Sequence, residues 1–222
     1  MIDLEPLLLS FEVSALATCV ATALGVALAA VLATPRIWGR EVLDAAITAP
    51  MVLPPTVLGY YLLVLLGRES SIGHSFEALF GTPIVFSRGG AVVAASIGAL
   101  PLITKAARAA LEAVDPRLVG AARTLGAGRV RAFFSVSLPL AQRGILAGVM
   151  LGYARALGDF GVTLMVAGNI PGETRTASLA IYDAVLSGRD TDALYLCVIM
   201  TALAMLVLIS ASYLTRPTRN GF

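Results

Sequence analysis

A chain of 222 residues, of which 58% are hydrophobic and 14% charged, with a mean hydropathy of +0.86, is too apolar for an ordinary soluble domain and too short for a large transporter. The net charge of +2 and pI near 8.7 are modest and the basic residues gather in particular loops, which sets nucleic acid aside as a partner. What remains is an integral membrane protein in contact with a lipid bilayer.

The chain opens MIDLEPLLLSFEVS, without the positively charged flank of a secretory signal, and residues 9–33 are long enough to cross a bilayer, so they read as a first span and not as a cleaved leader. Crossing the hydrocarbon takes roughly 20 apolar residues. Four further segments reach that length: 43–66, 88–111, 137–158 and 193–215. The expected fold is all-α, a polytopic membrane helix bundle of about five transmembrane helices forming one domain over residues 1–222. Ala17, Ala21, Gly25, Ala29 and Ala33 recur every four positions in span one, and Gly144, Gly148, Gly152 and Ala156 do so in span four. Helices inside lipid associate by close backbone approach, so both stripes are packing seams, and one of them is a candidate subunit seam.

Span two, TAPMVLPPTVLGYYLL, is interrupted by Pro50, Pro54 and Pro55. Proline removes backbone hydrogen bonds and kinks a span, and the freed carbonyls need protein or a wet cavity beside them. Thr56, Gly59 and Tyr60 follow the break. Either they line a pathway, or the break is a kink near the interface with Tyr60 and Tyr61 as packing or belt residues. Residues 67–87 read as an outer loop carrying the only histidine, His74.

Between spans three and four lies DPRLVGAARTLGAGRVRAFFSVSLP, residues 115–139. It is basic, with Arg117, Arg123, Arg129 and Arg131, yet Leu118, Ala121, Ala122 and Leu125 recur at intervals of three and four, the spacing of a short amphipathic helix. Asp115 is placed to be its N-cap, Pro116 its first residue, and Gly126 with Gly128 its stop. A second short helical piece follows over 129–136, and span four begins near Pro139. A solvated connector has no need of that apolar stripe; a docking helix does.

Span four ends GYARALGDFGVTLMVAG, placing Arg155 and Asp159 four apart on one helical face. Two readings stay open: a neutralised pair that fixes a helix end, or a pathway position shared with Thr163. Gly158 and Gly161 offer a hinge. Residues 159–168 have half the length of a span and read as a re-entrant piece, tolerable only when buried in protein or lining a cavity. A turn at 169–172 and a short amphipathic helix over 174–187 follow on the outer face.

Lysine and arginine set the orientation. Arg36 and Arg40, the group from Lys105 to Arg143, and Arg216 and Arg219 share one face of a five-span protein, while Asp3, Glu5 and Glu12 lie on the other. The docking helix and the C-terminus are therefore expected in the cytoplasm and the N-terminus outside. No phosphate-binding Gly-Lys turn exists, since the only lysine, Lys105, sits in an apolar run. Neither a metal-ligand cluster nor a nucleophile–base arrangement has the required spacing, and Cys19 and Cys197 lie inside apolar runs, so no cofactor, metal or enzymatic activity is expected.

Residues 120–139 resemble the cytoplasmic EAA loop of binding-protein-dependent ABC importers, Glu-Ala-Ala, three residues, Gly, then an apolar-Leu-Pro ending. Ala121, Ala122, Gly126 and Pro139 match; Gly120 stands where the family has Glu. LPPTVLGYYLLVLLG at 53–67 and ARALGDFGVTLMVAGNIPGETRTASLAIYDAV at 154–185 are similar to permease subunits of molybdate ABC transporters, and the resemblance spans nearly the whole chain. It implies two copies of the chain around a pathway, a cytoplasmic ABC ATPase subunit engaging Leu118, Gly120, Ala121, Ala122, Arg123, Leu125 and Gly126, and an outer-face oxyanion-binding protein that carries the specificity. Pathway or gate candidates are Thr56, Tyr60, Arg155, Asp159 and Thr163. Tungstate and sulfate are the competing substrates. A secondary transporter, which needs internal repeats and coupling carboxylates, and a membrane scaffold without transport are the alternatives from other classes.

Overall fold

The computed structural model describes residues 4–34 and 38–214. Asp3, Arg36, Arg216 and Arg219, which enter the charge argument above, lie outside the described residues. Among those described there is no strand, and the chain folds as helices α1 (Glu5–Leu32), α2 (Arg40–Val52), α3 (Pro55–Leu66), α4 (Ser71–Phe80), α5 (Arg88–Glu112), α6 (Pro116–Thr124), α7 (Arg129–Ala132), α8 (Leu138–Leu157), α9 (Gly161–Ala167), α10 (Ala177–Leu186) and α11 (Asp190–Leu214).

α5 is the axis of the bundle. It presents Ala91, Ala95, Ala99, Ile103 and Ala107, each under 2% exposed, and packs along both α1 and α8. The small-residue stripes of spans one and four both turn toward it. A Cβ on Gly25 of α1 would come within 3.1 Å of Ile103 and Thr104; one on Gly144, Gly148 or Gly152 of α8 would come within 2.6, 2.5 and 2.6 Å of Ala110, Ala106 and Ile103. Helix backbones approach that closely only where no side chain intervenes. Both stripes are thus seams within one chain, which corrects the expectation that one joins subunits.

The segment expected as the second span, 43–66, is a bent pair and not one continuous helix: α2 and α3, of 13 and 12 residues, are bent by 114° at their junction, each is about 20 Å long against a 30 Å hydrocarbon core, and only together do they have the length and composition of a crossing segment. Leu53 and Pro54 are extended, as residues preceding proline must be, while Pro50 is absorbed in the last turn of α2 without breaking it. The break therefore belongs to the Pro54-Pro55 pair alone. α5, α11 and α1 have the length and composition of crossing helices, as does the continuous helix Arg129–Leu157.

That last helix is a second correction. The separate piece expected over 129–136 and the span expected from Pro139 are one helix, α7 running into α8 through a π-helical segment, Phe133–Ser137. Leu138 N–H donates to Phe133 O, an i to i−5 bond. Pro139 has no N–H to give, and inserting one residue into the hydrogen-bond register lets the helix pass it intact. A third correction is α4, inside the segment read as a loop: Ser70 caps it, accepting from Gly73 N–H at 2.9 Å, and Gly81 ends it with φ +71°. Serine before and glycine after are ordinary start and stop signals, so α4 is legible in the sequence.

The two ends of the bundle differ in charge. At one end, Arg40 of α2 pairs with Glu112 of α5, and Asp44 of α2 accepts from Lys105 at 2.8 and 2.9 Å and lies 3.2 Å from Arg108, which also bonds Glu112 at 2.9 Å. This ladder fastens the bent helix α2 to the axis. At the other end, Arg88 donates to the carbonyls of Gly172 and Glu173, and Ser10 of α1 accepts from Ala177 N–H at 2.7 Å, supplying α10 with a cap from a distant helix.

Candidate functional site

The amphipathic helix α6 forms where the sequence marks it. The Asp115 carboxylate accepts from Arg117 N–H at 2.8 Å, Pro116 is the first helical residue, and Gly126 ends the helix at φ +88°, a conformation glycine adopts without cost. No residue of α6 is buried. Leu118 is 49% and Leu125 89% exposed, Ala121 is exposed and Ala122 half-buried, so the apolar stripe is uncovered. A Cβ on Gly120 would meet nothing within 4 Å. An apolar stripe standing in water beyond the helical ends is a surface built for a partner. Val119 and Arg123 turn the other way, toward the ends of α1, α5 and α7.

The second group centres on the end of α8. Asp159 is 4% exposed. One carboxylate oxygen accepts from Arg155 Nη1 at 2.9 Å; the other accepts from Thr163 N–H at 3.1 Å and Thr163 Oγ1 at 2.7 Å. Asp159 thereby satisfies a donor in the first turn of α9 and neutralises the arginine at the end of α8, in one step. Gly98 of α5 lies against the pair: a Cβ there would stand in ordinary contact, 3.5 Å from Arg155 and 3.7 Å from the carboxylate. The carboxylate thus ties the end of α8 to the start of α9.

The break after α8 meets the break before α3. A Cβ on Gly161 would fall 2.7 Å from Pro55 Cβ, and one on Gly59 would fall 2.6 Å from Met165 Cβ. Two glycines, one on each helix, let α9 and α3 cross in contact. Val162 and Val166 of α9 close an apolar cluster with Leu58 and Leu62 of α3, and Phe160 packs its ring 5.1 Å from that of Tyr182 on α10. α9 is too short to span, and burial of Val162, Thr163, Val166 and Ala167 in protein is what permits it at membrane depth.

The structure therefore brings Arg155, Asp159 and Thr163 together, while Thr56 and Tyr60 of α3 are exposed and make no hydrogen bond to them. Reasoning from sequence missed Asp44, Glu112 and Gly98. Lys105 and Arg108 carry a signal of their own: cations inside an apolar helix need a counter-charge, and Asp44 is the acid at matching depth in the adjacent span. Gly98 has none, since its partner is known only after the helices pack.

A bundle of this kind, whose helices are long and apolar enough to cross a membrane and which leaves an amphipathic helix uncovered at one end, is an integral membrane protein. Residues 21–216 match the family described as binding-protein-dependent transport system inner membrane component, and the chain belongs to that family. It is 44% identical over 217 residues, 97% of this chain and 95% of the relative, to the molybdenum transport system permease protein ModB of Escherichia coli (strain K12). It is 41% identical over 206 residues, 92% and 91% of the two chains, to the putative molybdenum transport system permease protein YvgM of Bacillus subtilis (strain 168). The fold is also that of solved transporters of low identity. The inward-facing MetNI methionine ABC transporter superposes with a TM-score of 0.76 at 16% identity, covering 97% of this chain and 95% of that one. A bacterial ABC transporter involved in the import of the acidic polysaccharide alginate does so with a TM-score of 0.69 at 14% identity, covering 98% and 80%. The chain is a multi-pass membrane transport component.

Proposed function

We propose that this chain is the permease subunit of a molybdate importer, a single transmembrane domain of which two copies form the pathway. The uncovered apolar stripe of α6 carries the reading, because it leaves an amphipathic helix without a partner in its own chain. A cytoplasmic ATPase supplies the partner and hydrolyses the ATP. Leu118, Gly120, Ala121, Ala122, Leu125 and Gly126 form the contact, Arg123 being turned toward the bundle, and movement of α6 carries the nucleotide state to the spans as a rigid-body displacement. Molybdate as substrate rests on relatives at 37–44% identity named for molybdenum transport. A binding protein delivers the oxyanion to the end of the bundle that holds Glu5, Glu12 and Arg88, outside the cell, and the basic α6 end faces the cytoplasm.

Asp159 holds the break between α8 and α9 as a positioning residue for the pathway, with Arg155 and Thr163. Thr56 and Tyr60 lie on the exposed flank of α3, on the side that a second copy covers. A dianion has to leave as readily as it enters, so a path without a deep cationic trap suits rapid release and places selectivity in the binding protein.

The test is ATP-driven uptake of labelled molybdate into proteoliposomes containing this chain with its ATPase and binding protein. Uptake blocked by tungstate and indifferent to sulfate is the expected result. Sulfate uptake would keep the importer and replace its substrate; a chain that never assembles with an ATPase would make it a scaffold.

A further inference from the structure

Behind α6, a cavity of about 960 Å3 opens between the ends of α1 and α5 and the start of the long α7–α8 helix. Its lining includes Thr34, Leu111, Val119, Arg123, Arg129 and Ser137. Arg123 lies in the last turn of α6 and Arg129 opens α7, with the reversal at Gly126 and Gly128 between them. Two helices thus bring one arginine each to the lining of a shared space.

Neither guanidinium has an acidic partner or a hydrogen-bond acceptor among the described residues, whereas Arg40, Lys105, Arg108, Arg155, Arg175 and Arg189 are each in an ion pair. Guanidinium presents paired N–H donors that match two oxygens of a phosphate-like anion. α6 buries none of its own residues, so its angle to the bundle depends on the glycine turn and on whatever spans the cavity.

We propose that this cavity binds a tetrahedral oxyanion, clasped between Arg123 and Arg129, and that its occupancy fixes α6 against the α7–α8 helix. The phosphate of an anionic lipid and a free tetrahedral anion offer the same chemistry at this depth, beside the ends of two membrane helices. The proposal holds whichever oxyanion the protein transports, so the uptake assay above can fail without touching it.

Hydrogen–deuterium exchange over residues 116–131 tests it, on the chain assembled with its ATPase. The complex is placed in nanodiscs of phosphatidylcholine alone, of phosphatidylcholine with phosphatidylglycerol, and of phosphatidylcholine with millimolar inorganic phosphate. Occupancy slows exchange in this segment by roughly fivefold or more, the effect of closing a local opening. Slowing with phosphatidylglycerol alone identifies a lipid phosphate, and slowing with inorganic phosphate identifies a free anion; either supports the site. R123Q/R129Q abolishes the slowing, and R117Q/R131Q, which removes the same charge outside the cavity, leaves it intact. No slowing under either condition, slowing that survives R123Q/R129Q, or equal loss in both double variants overturns the proposal.

Discussion

Thr163 binds Asp159 twice, through its backbone N–H at 3.1 Å and its hydroxyl at 2.7 Å, while Arg155 holds the other carboxylate oxygen at 2.9 Å. The carboxylate is the joint between α8 and α9, and the joint is buried. Asp159 is buried but Arg155 is 38% exposed, so solvent screens the arginine left behind and the main loss is the acceptor for the Thr163 donors, about 1–3 kcal/mol. Asp159→Ala is expected to lower the thermal transition of the purified complex by several degrees and to reduce assembled protein. Asp159→Asn keeps an acceptor for Thr163 and costs less. Equal melting of the two variants would show that the ion pair alone matters and that capping α9 does not.

The glycine crossing of α3 and α9 predicts a contrast between positions. At Gly59 an added Cβ would overlap Met165, and at Gly148 it would meet Ala106 at 2.5 Å, so Gly59→Ala and Gly148→Leu force helices apart, costing about 1–3 kcal/mol or more. Gly120 has open space, so Gly120→Glu should leave stability unchanged. Size-exclusion recovery after heating checks all three. A Gly148→Leu protein that assembles normally and changes only its substrate preference would contradict the packing role.

The α6 stripe gives a prediction of opposite character, a large functional effect with no effect on fold. Leu125 is almost fully exposed, and Leu125→Asp leaves the isolated chain as stable as before. In the assembled system it places a desolvated charge against an apolar groove, and loss of ATPase association by about tenfold or more follows from a cost of at least 1.4 kcal/mol. Ala122→Glu is expected to act likewise or to separate ATP hydrolysis from uptake. Copurification of the ATPase and the ratio of ATP hydrolysed to anion moved read both outcomes, and normal values for both variants would remove α6 as the docking element.

Asp44 between Lys105 and Arg108 predicts a coupling energy. Asp44→Asn leaves two cations on α5 facing α2 without their acid, and Lys105→Met leaves the acid with Arg108. The groups are partly exposed, so each single change should be modest, and the double variant should recover part of the loss. A double-mutant cycle in thermal stability with no interaction term would mean that the ladder does not hold α2.

Local rules carried far in this chain because they concern neighbours in sequence. Asp115, Pro116 and Gly126 bound α6, and length and apolarity marked α1, α5 and α11 with little error, since a bilayer needs a run of apolar residues whatever surrounds it. The re-entrant piece was legible from its insufficient length. The Arg155–Asp159 pair was legible from its spacing, though not its bond to Thr163. Proline chemistry was harder to grade. Three prolines in span two looked alike, yet Pro50 fits within α2 and the Pro54-Pro55 pair turns the chain by 114°, while Pro139 is passed through a π-helical segment.

The amino-acid sequence by itself determined the membrane class, the crossing lengths, the amphipathic helix α6 with its caps and apolar stripe, and the two small-residue stripes, because each depends on composition or on contacts a few residues apart. Only the tertiary structure decided where those surfaces point. It turned both stripes onto α5, set Gly59 against Met165 and Gly161 against Pro55, joined Asp44 to Lys105 across 61 residues, and placed Arg123 and Arg129 on the lining of one cavity. Those relationships depend on the angles at which helices cross, and a crossing angle is settled by the packing of both partners together.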